Sequence, residues 1–192
     1  MTNEKINNVI EFLSEHETYI DTNVLMNEGF AKMLGYFLPE MRRKNVKLYI
    51  PFPVYNELKK LSCSEDKATS DSAKFGIQSV EALKSLYIAE MVDNPNNHGL
   101  ATQFLIKTAI KYRARKNLAV ITCNKKLAED ILMQNSLKSV KGNYTYCLDL
   151  SRNGYLYNYD STVDASNTDS DKYSKNTEEN IDDNILKLFG LQ

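Results

Sequence analysis

Tyr19-Ile20-Asp21-Thr22-Asn23-Val24-Leu25 decides how this chain is read. It is a short β-prone run that meets polar residues at Asp21. Phe30-Ala31-Lys32-Met33-Leu34-Gly35-Tyr36-Phe37-Leu38 follows, with apolar positions at helical spacing, so the unit is a strand followed by a helix. The pattern then repeats. Val46 to Pro51 reads as a strand closed by proline, and Pro53-Val54-Tyr55-Asn56-Glu57-Leu58-Lys59-Lys60-Leu61 as a helix with proline in its first turn.

Further along, the polar stretch Ser62 to Ser72 reads as a loop or helix entry, Ala73 to Leu86 as a helix, and Tyr87 to Val92 as a strand. The break Asp93-Asn94-Pro95-Asn96-Asn97-His98-Gly99 precedes a helix over Leu100 to Arg115. Its end, Lys111 to Lys116, is basic, which suits either a solvated helix C-terminus or a nucleic-acid contact. Leu118-Ala119-Val120-Ile121-Thr122 is the clearest buried strand, and a helix runs through Leu127, Ile131 and Leu132. Asn143 to Leu150 and Tyr155 to Tyr159 are β-prone around an Arg152-Asn153-Gly154 turn. The tyrosines at 144, 146, 155, 157 and 159 alternate as packed strand residues do. Alternating strands and helices predict an α/β fold, a three-layer α/β/α arrangement with a mainly parallel central sheet.

In the 192-residue chain one domain with a sizeable core is expected over residues 1–157. These residues hold 21 Lys+Arg and 17 Asp+Glu, a net of +4, whereas residues 158–192 hold 3 and 8, a net of −5. A mildly basic body permits polyanion binding. Residues 158–180 are rich in Ser, Thr, Asn and Asp, and the composition predicts a disordered acidic linker. Residues 181–192 read as a short amphipathic helix that could dock on the domain or on a protein partner. No stretch approaches the roughly 18 to 20 apolar residues of a membrane span, and Met1 to Glu17 is too polar for a secretory signal, so a cytoplasmic protein is expected. Cys63, Cys123 and Cys147 are odd in number and lack a CxxC pair, which predicts reduced thiols rather than a disulfide framework or zinc site.

In a parallel sheet, functional groups gather at the carboxyl ends of the strands. Asp21, Thr122 and Asn124 would sit there, with Glu57 one helical turn after Pro53. Converging carboxylates can hold Mg²⁺ or Mn²⁺, which prefer hard oxygen ligands and activate water against phosphate. Each residue also has an ordinary role open to it. Asp21 and Asn124 could be helix N-caps, and Glu57 an exposed helix residue. Lys125 and Lys126 lie near enough to contact phosphate.

Tyr19-Ile20-Asp21-Thr22-Asn23-Val24-Leu25 resembles the opening motif of PIN-domain nucleases, Pro53 to Leu58 the second, and Leu118 to Ala128 the last; together they span roughly residues 15–150. The resemblance implies a PIN-like ribonuclease cleaving RNA with Mg²⁺ or Mn²⁺, of the kind found in toxin–antitoxin pairs or RNA processing. It implies Asp21 and Glu57 as metal ligands, Asn124 as a third catalytic residue beside them, and Thr22, Asn23, Thr122 and Thr102 as organisers. A further aspartate usual in the family aligns with Thr102, and Asp93 or His98 of the preceding loop could stand in for it, although His98 reads better as a solvated loop residue. With Thr102 and Asn124 in place of acids, the alternative is a catalytically degenerate module that binds nucleic acid or protein. A homodimer is compatible with either reading.

Overall fold

The computed structural model describes residues 3–96, 99–136 and 142–159. His98 and the expected acidic linker and C-terminal helix, apart from Asn158 and Tyr159, lie outside the described residues. In chain order the elements are α1 (Asn3–Glu15), β1 (Glu17–Ile20), α2 (Thr22–Leu25), α3 (Gly29–Arg43), β2 (Leu48–Pro51), α4 (Phe52–Leu61), α5 (Lys67–Ser85), β3 (Ala89–Val92), α6 (Ala101–Tyr112), β4 (Leu118–Ile121), α7 (Lys125–Met133), β5 (Thr145–Leu150) and β6 (Leu156–Asn158), with a 3-10 turn at Gln134–Ser136.

The six strands form one sheet in the order β3-β2-β1-β4-β5-β6. All pairings are parallel except β5 with β6, the antiparallel edge. Parallel neighbours need crossover connections, and the intervening helices supply them. β4 is buried at every position because helices cover both faces of the sheet. Its alternation sorts the core. Ile121 joins Ile20, Ile50, Phe30, Phe37, Leu58 and Leu83 on the side covered by α3, α4 and α5. Leu118 and Val120 join Tyr19, Leu105, Ala109, Leu127, Ile131 and Cys147 on the side covered by α6 and α7. The chain is therefore mixed α/β with a mostly parallel sheet, an arrangement compatible with a three-layer α/β/α fold. No helix among the described residues is long and apolar enough to cross a membrane.

The structure departs from the sequence expectations at several places. Residues 3–15 form an amphipathic helix that packs against α3 and buries Ile10 and Leu13. The β-prone run ends at Ile20, and Thr22 to Leu25 form a single helical turn capped by Asp21, so Val24 and Leu25 enter the core from a helix rather than a strand. The polar stretch Ser62 to Ser72, by contrast, is a helix entry as expected: α5 starts at Lys67, where the Asp66 carboxylate accepts from the Thr69 N–H and hydroxyl. Strand β3 begins two residues later than the apolar run, since Tyr87 turns the chain at φ 58°.

The basic run Lys111 to Lys116 is not uniformly solvated. Arg113 is buried and donates to the Gln134 carbonyl at the C-terminus of α7, where a cation complements the helix dipole. Lys116 pairs with Glu17 across β1 and lies over the Tyr112 ring. Two tyrosines of this end of the chain serve packing: Tyr146 of β5 meets Phe12 and His16 edge-on, and Tyr155, just before β6, stacks on Tyr36 at 5.8 Å, while Tyr157 of β6 is exposed.

At Gly29, the first residue of α3, an added Cβ would overlap the Ser151 carbonyl oxygen and lie 3.1 Å from the Arg152 carbonyl carbon. The absence of a side chain lets the helix start press directly on the β5–β6 loop. Gly154 in that loop adopts φ 81°, a left-handed conformation suited to glycine, and sits against the backbone of Lys32 and Met33.

Candidate active site

Strand order runs outward to β3 on one side of β1 and to β5 on the other, so β1 and β4 flank the point where the topology reverses. At such a point the connections leave the sheet in opposite directions, and in open α/β sheets the carboxyl ends of the strands there are the usual place for ligands. Asp21 follows β1 and Thr122 follows β4, and the pairing Ile20↔Ile121 places them side by side. The Asp21 N–H donates to the Ile121 carbonyl at 3.0 Å, extending the ladder by one bond.

Asp21 is only 4% exposed, and both carboxylate oxygens are engaged. Oδ1 accepts from the Thr22 N–H at 2.8 Å, and Oδ2 accepts from the Thr122 hydroxyl at 2.7 Å. Thr122 Oγ1 also accepts from the Asn124 N–H at 3.0 Å, so its hydrogen is committed to Asp21. The Thr22 hydroxyl donates to Glu57 Oε2 at 2.7 Å. Thr22 thus holds one carboxylate with its main chain and the other with its side chain. Glu57 itself is exposed, on the second turn of α4.

Burial pushes the Asp21 carboxyl above the usual aspartate range, and the nearby Glu57 charge adds to the rise; the bonds from Thr122, Thr22 and Asn23 oppose it. The pair is therefore a desolvated acid beside a solvated one, bridged by one threonine. Positive charge brought between them would favour both in ionised form.

Asn23 also helps to hold the Asp21 carboxylate, and its Oδ1 accepts from the Cys123 N–H at 3.0 Å, tying the β4–α7 loop to the α2 turn. Asn124 is the N-cap of α7, its Oδ1 accepting from the Leu127 N–H at 3.2 Å. Lys125 and Lys126 are exposed in the first turn of α7, and Lys125 lies 3.8 Å from Glu129. Thr102 is in the first turn of α6, a turn without an acidic residue. Helix α6 packs against α4, and the Asn56 amide beside Glu57 donates to the Pro95 carbonyl in the loop leading to α6. Asp93 is exposed at φ 75° in that loop.

Among the described residues no group of three or more His, Cys, Asp and Glu side chains could hold a metal ion. The structure brings Asp21, Thr22, Glu57 and Thr122 into one hydrogen-bonded set and leaves Asn124 at its margin as a cap.

The chain matches no protein-family model and no curated protein.

Sequence reasoning did not single out Asn27. Its side chain joins three segments behind the site, and a lone asparagine between two helices gives no pattern that would mark it.

Proposed function

We propose that the chain is a PIN-like ribonuclease that uses Mg²⁺ or Mn²⁺ to cleave RNA phosphodiester bonds. One observation carries this reading: Asp21 and Glu57, drawn from different crossover units, are fixed on the two donors of Thr22 at the topological switch point. A buried carboxylate kept beside a second carboxylate is costly to a fold unless a cation shares the site. The donors are hard oxygens, which suit Mg²⁺ and Mn²⁺, and such ions keep several waters, so two carboxylates with solvent can complete a shell. When bound, the ion would activate water and stabilise charge on the scissile phosphate.

The residues would divide the work. Asp21 and Glu57 hold the ion, while Thr122 and Thr22 fix the direction of each carboxylate. Lys125 and Lys126 offer phosphate contacts. Lysines at a helix N-terminus oppose the dipole, and among the described residues only Lys125 has a partner within α7, Glu129 at 3.8 Å. Mn²⁺-dependent cleavage of single-stranded RNA, lost at least about 100-fold in Glu57→Gln, is the expected result. Purified protein that leaves varied RNAs intact with either metal would overturn the reading.

A second reading, a degenerate module that binds nucleic acid or a protein partner, draws on Thr102 and on the capping role of Asn124. It requires binding without metal-dependent turnover, unchanged in Asp21→Asn. Thr102→Asp separates the two readings further. An aspartate in the first turn of α6 suits the helix dipole and would add a carboxylate to the helix that packs against α4, which carries Glu57. Mn²⁺ binding, followed by calorimetry, should tighten about tenfold or more in this variant if Asp21 and Glu57 form a metal site; an unchanged affinity would separate Thr102 from that site.

A further inference from the structure

We infer that Asn27 is a positioning residue that sets the Thr122 hydroxyl against Asp21 by clamping the β4–α7 loop from behind. The inference rests on the nuclease reading for its effect on turnover, but not for its structural part.

Asn27 lies in the three-residue link between α2 and α3. Its Oδ1 accepts from the Gly29 N–H at 2.7 Å, which fixes the side chain at the start of α3. Its Nδ2 then donates in two directions, to Cys123 Sγ at 3.4 Å and to the Leu150 carbonyl at 3.3 Å. One amide group therefore joins the α2–α3 link, the β4–α7 loop and the end of β5. The Asn27 N–H and carbonyl are also used, bonding Val24 and Phe30, so the residue has little freedom to move.

Cys123 is held on two sides as a result. Asn23 takes its N–H and Asn27 takes its sulfur, and Asn23 and Asn27 are one helical turn apart on the segment that begins with Asp21. Thr122, the residue before Cys123, donates to Asp21. Its hydroxyl can keep a 2.7 Å bond to a carboxylate on another segment only while the two segments keep their spacing. The two asparagines provide that spacing from the same segment that carries Asp21. The thiol makes a poor anion here, since burial pushes it above the usual cysteine range, so the contact is between an amide and a neutral sulfur.

Two variants separate the two ends of the Asn27 side chain. Asn27→Asp keeps an acceptor for the Gly29 N–H but has no donor for Cys123 and Leu150; Asn27→Ala loses both. Hydrogen exchange of the Cys123 amide in the full chain reads the clamp without any catalysis, with the Val120 amide inside β4 as the internal reference. Exchange at Cys123 should rise about tenfold in both variants while Val120 is unchanged, the loss of roughly one neutral hydrogen bond's worth of local stability. Turnover of RNA with Mn²⁺ should fall about five- to tenfold in kcat with KM unchanged. Combining Asn27→Ala with Thr122→Val should add little to the loss from Thr122→Val alone, because the two act on one contact.

Cys123 exchange equal to wild type in both variants would overturn the inference. So would wild-type exchange in Asn27→Asp with faster exchange in Asn27→Ala, since the acceptor alone would then hold the loop. Additive losses in the double variant would show that Asn27 does not act through Thr122. If the wild type cleaves no RNA, the exchange result still decides whether the clamp exists, and only the nuclease reading falls.

Discussion

Asp21→Asn should lower RNA turnover by roughly 10²- to 10³-fold while raising the melting temperature of the protein at neutral pH. The two effects share a cause. The folded state holds the Asp21 carboxyl above its usual range, first through burial and also through Glu57. An acid whose folded pKa lies above its unfolded value gives up protons on unfolding between the two values, so stability falls as pH rises through that window. The cost is absent below the unfolded value, near 3.8, and fully present above the folded one. Asparagine carries no such cost and keeps an acceptor for the Thr22 N–H. The difference in melting temperature between variant and wild type should therefore be positive at pH 7 and shrink toward pH 4. Mn²⁺ should raise the melting temperature of the wild type and leave that of Asp21→Asn nearly unchanged. A variant less stable than wild type at pH 7 would mean that Asp21 serves the fold, and the case for a cation site would be lost.

Gly29→Ala should be the most destabilising single-methyl change in the described chain, by about 3 kcal/mol or more in urea unfolding. The added carbon meets the Ser151 carbonyl oxygen, with the Ser151 and Arg152 carbonyl carbons just beyond it. All three are backbone atoms, which cannot rotate away as a side chain can. Relief would need α3 to lift off the β5–β6 loop, and Asn27 opposes that because its amide holds the Gly29 N–H and the Leu150 carbonyl at once. A loss below about 1 kcal/mol would show that the loop yields easily and that the close approach is incidental.

The legible parts of this fold were those where burial leaves a period. Leu118 to Ile121 is apolar at four consecutive positions because both faces are covered, and it was readable as a buried strand. Asp21 and Glu57 were readable as site candidates from their positions relative to strands. The missed parts were short or polar. Thr22 to Leu25 is one turn, too brief to show a helical period, and its valine and leucine favour a strand locally. Helix α1 mixes Ile6, Val9, Ile10 and Leu13 with Asn, Glu and Ser, and its apolar face has meaning only once α3 is known to receive it. Arg113 looked like one charge in a basic run; that it turns inward to the end of α7 depends on a contact 21 residues away. The bond between Thr22 and Glu57 could not be read at all, since neither residue type demands the other.

The span of the bonds around Asp21 bears on when the site comes into being. Asp21 and Thr122 are 101 residues apart, and Asn27 and Leu150 are 123 apart. Contacts between such distant positions are slow to form because long loops must close first. During synthesis, Asp21 and Glu57 emerge well before β4 and β5, and a chain that has not yet made β5 has nothing for Asn27 to hold at Leu150. The bonds that fix Asp21 from β4 and Asn27 from β5 are thus the last of the set to form, whereas Thr22 and Glu57, 35 residues apart, can meet earlier. Glu57 can therefore be held through Thr22 once α4 has emerged, but the direction of the Asp21 carboxylate is fixed only when β4 brings Thr122 beside it.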